Sequence, residues 1–134
     1  MKKDIEFPSV EGVKVAIVKK ENLTSEDEWY VYILNTNPYP IHTILITAKG
    51  YGEIDGEKKK TSTLRYHIEE LPAGSYAMIE PIHPDVFRLY SEYWVSYYVD
   101  KQIFDKKYIF PPDSIQDAHL TLIKALNMPG ILHE

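Results

Sequence analysis

WYVYILNTNPYPIHTILITAKGYG, residues 29–52, sets two runs of β-branched and aromatic residues about a centre, Asn35 to Pro40, rich in Asn and Pro. Asn bonds its own backbone and Pro presets φ, so the centre reads as a turn and the whole stretch as one β-hairpin. In the first run Trp29, Val31 and Ile33 alternate with Tyr30, Tyr32 and Leu34. In the second, His42, Ile44, Ile46 and Ala48 share a face opposite Thr43, Leu45, Thr47 and Lys49. One face is apolar and the other mixed, the pattern of an antiparallel pair covered on one side. Such a hairpin is marginal alone, so the remaining chain has to supply an opposing sheet.

On the N-terminal side, Val13, Val15 and Ile17 alternate with Lys14, Ala16 and Val18, a strand expected to neighbour the Trp29 run. Met1 to Glu11, with Pro8 and frequent charges, reads as an exposed lead-in or a short edge strand. Lys20 to Glu28 is polar throughout and makes the connecting loop; its acids do not recur at calcium-ligand spacing. On the C-terminal side, Asp55-Gly56 is a turn signal, and Leu64, Tyr66 and Ile68 alternate with Thr63, Arg65 and His67 in a further strand. LPAGS, from Leu71 to Ser75, turns into a strand over Tyr76 to Ile82, which Pro81 and Pro84 end. Val86, Phe87 and Leu89 read as a crossover plugging the core. Glu92 to Asp100 and Ile103 to Phe110 form a second hairpin, giving about seven strands. After Pro111-Pro112, Asp113 or Ser114 is placed to cap a short helical turn through Ala118, and Leu120 to Leu132 is too apolar for a free tail.

The expected fold is all-β: a two-sheet antiparallel sandwich in one domain over 1–134, with its core in 13–110 and a helical or irregular tail, 111–134, packed on it or on a partner chain. With no cysteine, the chain has no disulfide framework, thiolate zinc site or cysteine nucleophile, which suits a reducing compartment. MKKDIEFPSV lacks the apolar core of a signal peptide, and no run approaches the ~18 residues of a membrane span, so the expected location is the cytoplasm with no membrane contact. Lys plus Arg number 15 against 20 Asp plus Glu, a net charge of −5, which argues against nucleic acid as a partner.

Three patterns carry a resemblance. The NTNPYPI turn ahead of TILITAKG, the IEELPAGS corner and the closing YWVSYYVDKQIFDKKYIF hairpin resemble immunoglobulin-like sandwiches of the fibronectin type III or bacterial accessory kind. This implies that fold over most of 13–110, without the Cys pair of antibody domains, and it implies no function. EWYVYILN, TSTLRYHIEELPAGS, EYWVSYYVD and PGILHE also resemble a family of short uncharacterised bacterial chains, some of which carry a phenylalanyl-tRNA synthetase label. That label would imply an ATP-binding catalytic core with arginine-bearing motifs, whereas this chain has Arg65 and Arg88 alone.

No residue set supports catalysis, a metal or a cofactor. The five histidines form no HxH or HExxH pattern, and no GxSxG elbow or phosphate loop is present. His83 with Asp85 in IHPD marks a turn rather than a catalytic pair, and Lys58, Lys59 and Lys60 read as a solvated run that discourages edge pairing. The functional signal is the strand EYWVSYYVD, which carries aromatics on both faces. One face belongs to the core; the other needs cover from the tail, a second subunit or a ligand. The expected interaction surface is Tyr93, Trp94, Tyr97 and Tyr98 with Leu120, Leu122 and Leu126, and the expected partner is a second copy of the chain or another protein. The alternative is a carbohydrate- or small-molecule-binding module in which Trp94 and Tyr98 stack on a ligand beside Arg65 and Asp105.

Overall fold

The computed structural model describes residues 8–134, and residues 1–7 of the expected lead-in lie outside that range. Ten strands run in the order β1 (Val13–Lys20), β2 (Glu28–Asn35), β3 (Ile41–Ile54), β4 (Glu57–Lys60), β5 (Leu64–Leu71), β6 (Tyr76–Pro81), β7 (Tyr90–Val99), β8 (Gln102–Phe110), β9 (Thr121–Ile123) and β10 (Met128–His133). Two short 3₁₀ turns, Pro84–Arg88 and Asp117–His119, complete the chain. All strand pairs are antiparallel and form two sheets. Sheet A has the order β6-β2-β1-β10-β9; sheet B has the order β4-β3-β7-β8, with β5 sharing the β4 side of β3. No helix in the described residues is long and apolar enough to cross a membrane.

The stretch 29–52 is not a hairpin. β2 pairs with β1 and β6 in sheet A, while β3 pairs with β4, β5 and β7 in sheet B, so residues 35–41 carry the chain from one sheet to the other. Asn35 holds that crossover. It is 1% exposed, and its Nδ2 lies 2.9 Å from Tyr39 O, 3.1 Å from Leu71 O and 3.1 Å from Pro72 O. Its Oδ1 accepts from the Asn37 amide at 3.1 Å, so the turn chemistry read from Asn and Pro is present. It serves a corner between sheets because the side chain binds the β5–β6 turn rather than a facing strand.

The alternation within β3 also breaks once. Between β3 and β7 the register steps from His42↔Tyr98 to Leu45↔Ser96, and Thr43 takes a left-handed φ of 49°. This bulge inserts one extra residue and turns His42 from the core side to the outer face, where its Nδ1 lies 3.4 Å from Glu70 Oε1. The expected grouping of His42 with Ile44 and Ile46 fails for that reason. Asp55 and Gly56 both take positive φ, 52° and 80°, and join β3 to β4 in a tight hairpin.

The main core lies between the sheets: Val13, Val15 and Ile17 of β1 and Val31 and Ile33 of β2 meet Ile44, Ile46, Tyr93, Val95, Tyr97 and Tyr108 from the other side. Phe87, at the 3₁₀ turn, meets Trp29 edge to face with centroids 5.0 Å apart, and Leu89 is buried beside it. The tail departs from expectation. Asp117–His119 is a single 3₁₀ turn whose N-cap, Gln116, makes no side-chain cap bond, so the Ser114 capping box does not form. Beyond it β9 and β10 form a hairpin, and β10 continues sheet A along β1 with Val15↔His133 and Val18↔Gly130. Ten strands therefore replace about seven. The hairpin also covers the back of sheet A, where Ala16, Val18 and Leu34 pack with Ile123 and Leu126 in a second small core. The VAIV run of β1, apolar at both alternating sets, carries the sequence signal of cover on two sides.

Candidate functional site

β7 is central in sheet B and places its two aromatic sets on opposite faces. Tyr93 and Tyr97 point inward and are each 2% exposed; the Tyr97 ring stacks on Phe104 at 5.3 Å and 7°. Trp94 and Tyr98 point outward. Neighbouring strands extend their rows: Arg65, Thr47, Trp94 and Lys107 lie side by side on β5, β3, β7 and β8, and His67, Leu45, Ser96 and Asp105 form the next row. Tyr98 pairs with His42 on one side and Ile103 on the other. Leu45 is 52% exposed, Trp94 43%, Ile103 41% and Tyr98 39%, so an apolar patch runs diagonally across three strands.

The patch is held in place by polar neighbours. The Trp94 indole N–H donates to Asp105 Oδ1. Lys107 Nζ sits 4.7 Å from the Trp94 ring centroid, a cation–π contact that occupies one face of the ring. Below the patch Tyr51 and Tyr90 stack at 5.4 Å and 11°. Glu92 is 4% exposed although it sits on this outer face. Its Oε1 accepts from the Tyr51 hydroxyl at 3.2 Å, and its Oε2, free of hydrogen bonds, is 3.5 Å from Lys49 Nζ. Burial first and the Glu92 carboxylate second push the Tyr51 hydroxyl above its ordinary pKa.

Among the seven residues of the expected interaction surface, only Trp94 and Tyr98 belong to this face. Tyr93 and Tyr97 are core residues, since alternation sends them inward. Leu120 packs against the main core and Leu126 against the second one, while Leu122 is 61% exposed on β9, in the other sheet. The tail does not cover Trp94 because pairing with β1 carries it to sheet A. By contrast, all four residues of the expected stacking site, Trp94, Tyr98, Arg65 and Asp105, are brought onto one face by the register of β5, β7 and β8. Leu45, Ile103, Lys107 and the covered Glu92 were missed. Alternation alone puts each on one face of its own strand, but which strands are neighbours is not written in that pattern.

The histidines are dispersed. His42 lies beside Glu70; His83 caps the first 3₁₀ turn by accepting from the Asp85 amide at 3.1 Å; His119 Nδ1 is 2.9 Å from Ser114 O; His133 packs edge-on against Tyr108 and Phe110. Among the described residues no group of three His, Cys, Asp or Glu side chains could hold a metal ion. Comparison of the chain with family models, with curated proteins and with solved structures returned no match.

Proposed function

We propose that this chain is a non-enzymatic recognition domain of immunoglobulin-like fold that associates with a second copy of itself through the outer face of sheet B. The fold assignment is supported by strand order. In immunoglobulin-like sandwiches strands A, B and E share one sheet and C, F and G the other. Reading β1, β2, β3, β6, β7 and β8 as A, B, C, E, F and G matches the orders β6-β2-β1 and β3-β7-β8, with β9 and β10 as additions at the A edge.

The single observation behind the functional reading is the exposed diagonal of Leu45, Trp94, Tyr98 and Ile103 on the outer face of sheet B. Burying an aromatic or aliphatic side chain of this size contributes roughly 1.5–3 kcal/mol, so the face gains from cover that no other described segment supplies. A second copy of the same face can supply that cover: a two-fold axis along the strands keeps each row and reverses it, which sets His67 of one subunit over Asp105 of the other, while Arg65 and Lys107, the ends of the next row, meet as like charges.

Sedimentation equilibrium tests this reading. The wild-type chain is expected to dimerise at micromolar concentration. Trp94→Asp, which gives up the indole hydrogen bond and the Lys107 contact, is expected to cost the subunit about 1–2 kcal/mol and to leave a folded monomer. A wild-type chain that remains monomeric at hundreds of micromolar overturns it.

A second reading, sugar stacking on Trp94 and Tyr98, is favoured by the hydrogen bond that fixes the indole beside Asp105. A sugar would have to displace Lys107 from the ring, a contact worth about 0.5–1 kcal/mol at an exposed site. Saturable quenching of Trp fluorescence by a glycan, in a chain that stays monomeric, would decide for it.

A further inference from the structure

On the side of the sandwich where β5 and β6 are the edge strands, the two sheets part into a cleft of about 220 Å³, away from the outer face of sheet B. Ala48, Leu64, Ile82, Val86 and Tyr93 line it, with Ser91, itself 4% exposed, among them. The one carboxylate that lines it is Glu80, and a bulge puts it there. Between β2 and β6 the register steps from Val31↔Glu80 to Tyr32↔Met78, leaving Ile79 without a partner. Both Ile79, which enters the core, and Glu80, which pairs with the inward Val31, therefore face the space between the sheets. Regular alternation would have sent Glu80 out to solvent.

Glu80 is gripped from two strands of the opposite sheet. The Tyr66 hydroxyl donates to its Oε1 at 2.6 Å and the Tyr93 hydroxyl to its Oε2 at 2.9 Å. Burial first, and the carboxylate second, push the Tyr66 hydroxyl up to about 12 and raise Tyr93 as well, so both phenols remain donors at neutral pH. A carboxylate has about four lone-pair sites, and the two tyrosines use two. Among the described residues no Lys, Arg or His forms an ion pair with Glu80. Lys49, which also borders the cleft, turns its ammonium to Glu92 on the outer face. A half-buried carboxylate held by neutral donors, with open acceptor sites and no ion-pair partner among the described residues, in a cleft whose mainly apolar lining also includes Thr61, Ser62 and a His83 engaged with Asp85, has the chemistry to receive a cation on an apolar stem.

We propose that this cleft binds a primary ammonium carried on a short alkyl stem, with Glu80 as its counter-charge and Leu64, Ile82 and Val86 around the stem. A free alkylamine and a lysine side chain present the same chemistry. The test is a titration of the full chain followed by carbon-13 methyl shifts of Leu64, Ile82 and Val86, with n-butylammonium, Nα-acetyl-lysine N-methylamide and the uncharged n-butanol as probes. Saturable shifts confined to those methyls are expected with the two ammonium probes, the tighter of which names the source, and none with n-butanol. Glu80→Gln, which keeps the shape and one acceptor oxygen and turns the other contact into an amide donating to a phenol oxygen, removes the charge and is expected to weaken binding at least about tenfold, as befits a hydrogen-bonded charge. Leu64→Lys, at a half-exposed wall position, leaves Glu80 intact and supplies a competing ammonium, and should abolish binding independently. Equal binding of n-butanol, undiminished binding by Leu64→Lys, or no saturable shift at tens of millimolar overturns the proposal.

Discussion

Asn35 ties together several backbone groups, because one amide reaches three carbonyls from two different turns. Asn35→Ala would leave those carbonyls short of a donor, the Leu71 carbonyl in a buried position and the other two in partly buried ones. The expected cost is about 2–4 kcal/mol, read as a lower urea midpoint at unchanged slope. An effect under about 0.5 kcal/mol would mean that the crossover is held by something else. The buried tyrosines make a second residue-scale prediction. Burial pushes Tyr66 and Tyr97 up to about 12 and raises Tyr93 and Tyr108 too. In the unfolded chain these phenols release their protons near pH 10, so the unfolded state binds fewer protons than the folded one above that pH. Their contribution to stability is complete below about pH 10 and is lost as the pH rises through about 12. Ultraviolet titration should show the buried Tyr93, Tyr97 and Tyr108 ionising together with unfolding, and early, reversible ionisation of all tyrosines with the fold intact would contradict their burial.

Among the elements, β10 carries the clearest consequence, since it turns an expected tail into part of sheet A. Gly130 makes the close approach possible: a Cβ there would lie 2.7 Å from Ile17 O and 2.8 Å from Val18 Cγ1. Backbone cannot yield as a flexible side chain can, so Gly130→Val should force β10 away from β1 and open the second core over Ala16 and Val18. A loss of about 2–4 kcal/mol is expected in denaturant unfolding. Wild-type stability in that variant would show that β10 does not dock where it is placed. The bulges in β3 and β6 act in the opposite sense, because each spends one unpaired residue to re-aim a polar side chain: His42 outward and Glu80 inward.

For the whole molecule, the two sides of the sandwich are treated differently. The β9–β10 hairpin covers the back of sheet A over Ala16, Val18 and Leu34 and leaves Tyr76 and Met78 of β6 half-exposed there, while the outer face of sheet B keeps its whole apolar diagonal open. If that face is completed by a second copy, the thermal midpoint should rise with protein concentration, since association adds stability by mass action. In Trp94→Asp the concentration dependence should vanish. A midpoint independent of concentration in the wild-type chain would separate the open face from self-association.

The sequence by itself determined the all-β class, most of the strands and the two-faced aromatic character of β7, because those follow from period-two alternation and from Asn, Gly and Pro at the turns. It also held the alternation of Leu64, Tyr66 and Ile68 and the closing β7–β8 hairpin, whose partners are adjacent in the chain. Only the tertiary structure decided which strands are neighbours across longer separations. Asn35 to Pro40 carries the same turn chemistry whether the next strand folds back or crosses over, and the choice lies with Leu71 and Pro72, more than thirty residues on. Nor does alternation announce a bulge: one residue added to β3 or β6 leaves the composition unchanged and exchanges the faces of His42 and Glu80. Trp94, Tyr98, Arg65 and Asp105 are legible together in the sequence, whereas Leu45 and Ile103 beside them and the cleft around Glu80 are not, since a site on a sheet is assembled by register, and register is set by packing between segments far apart in the chain.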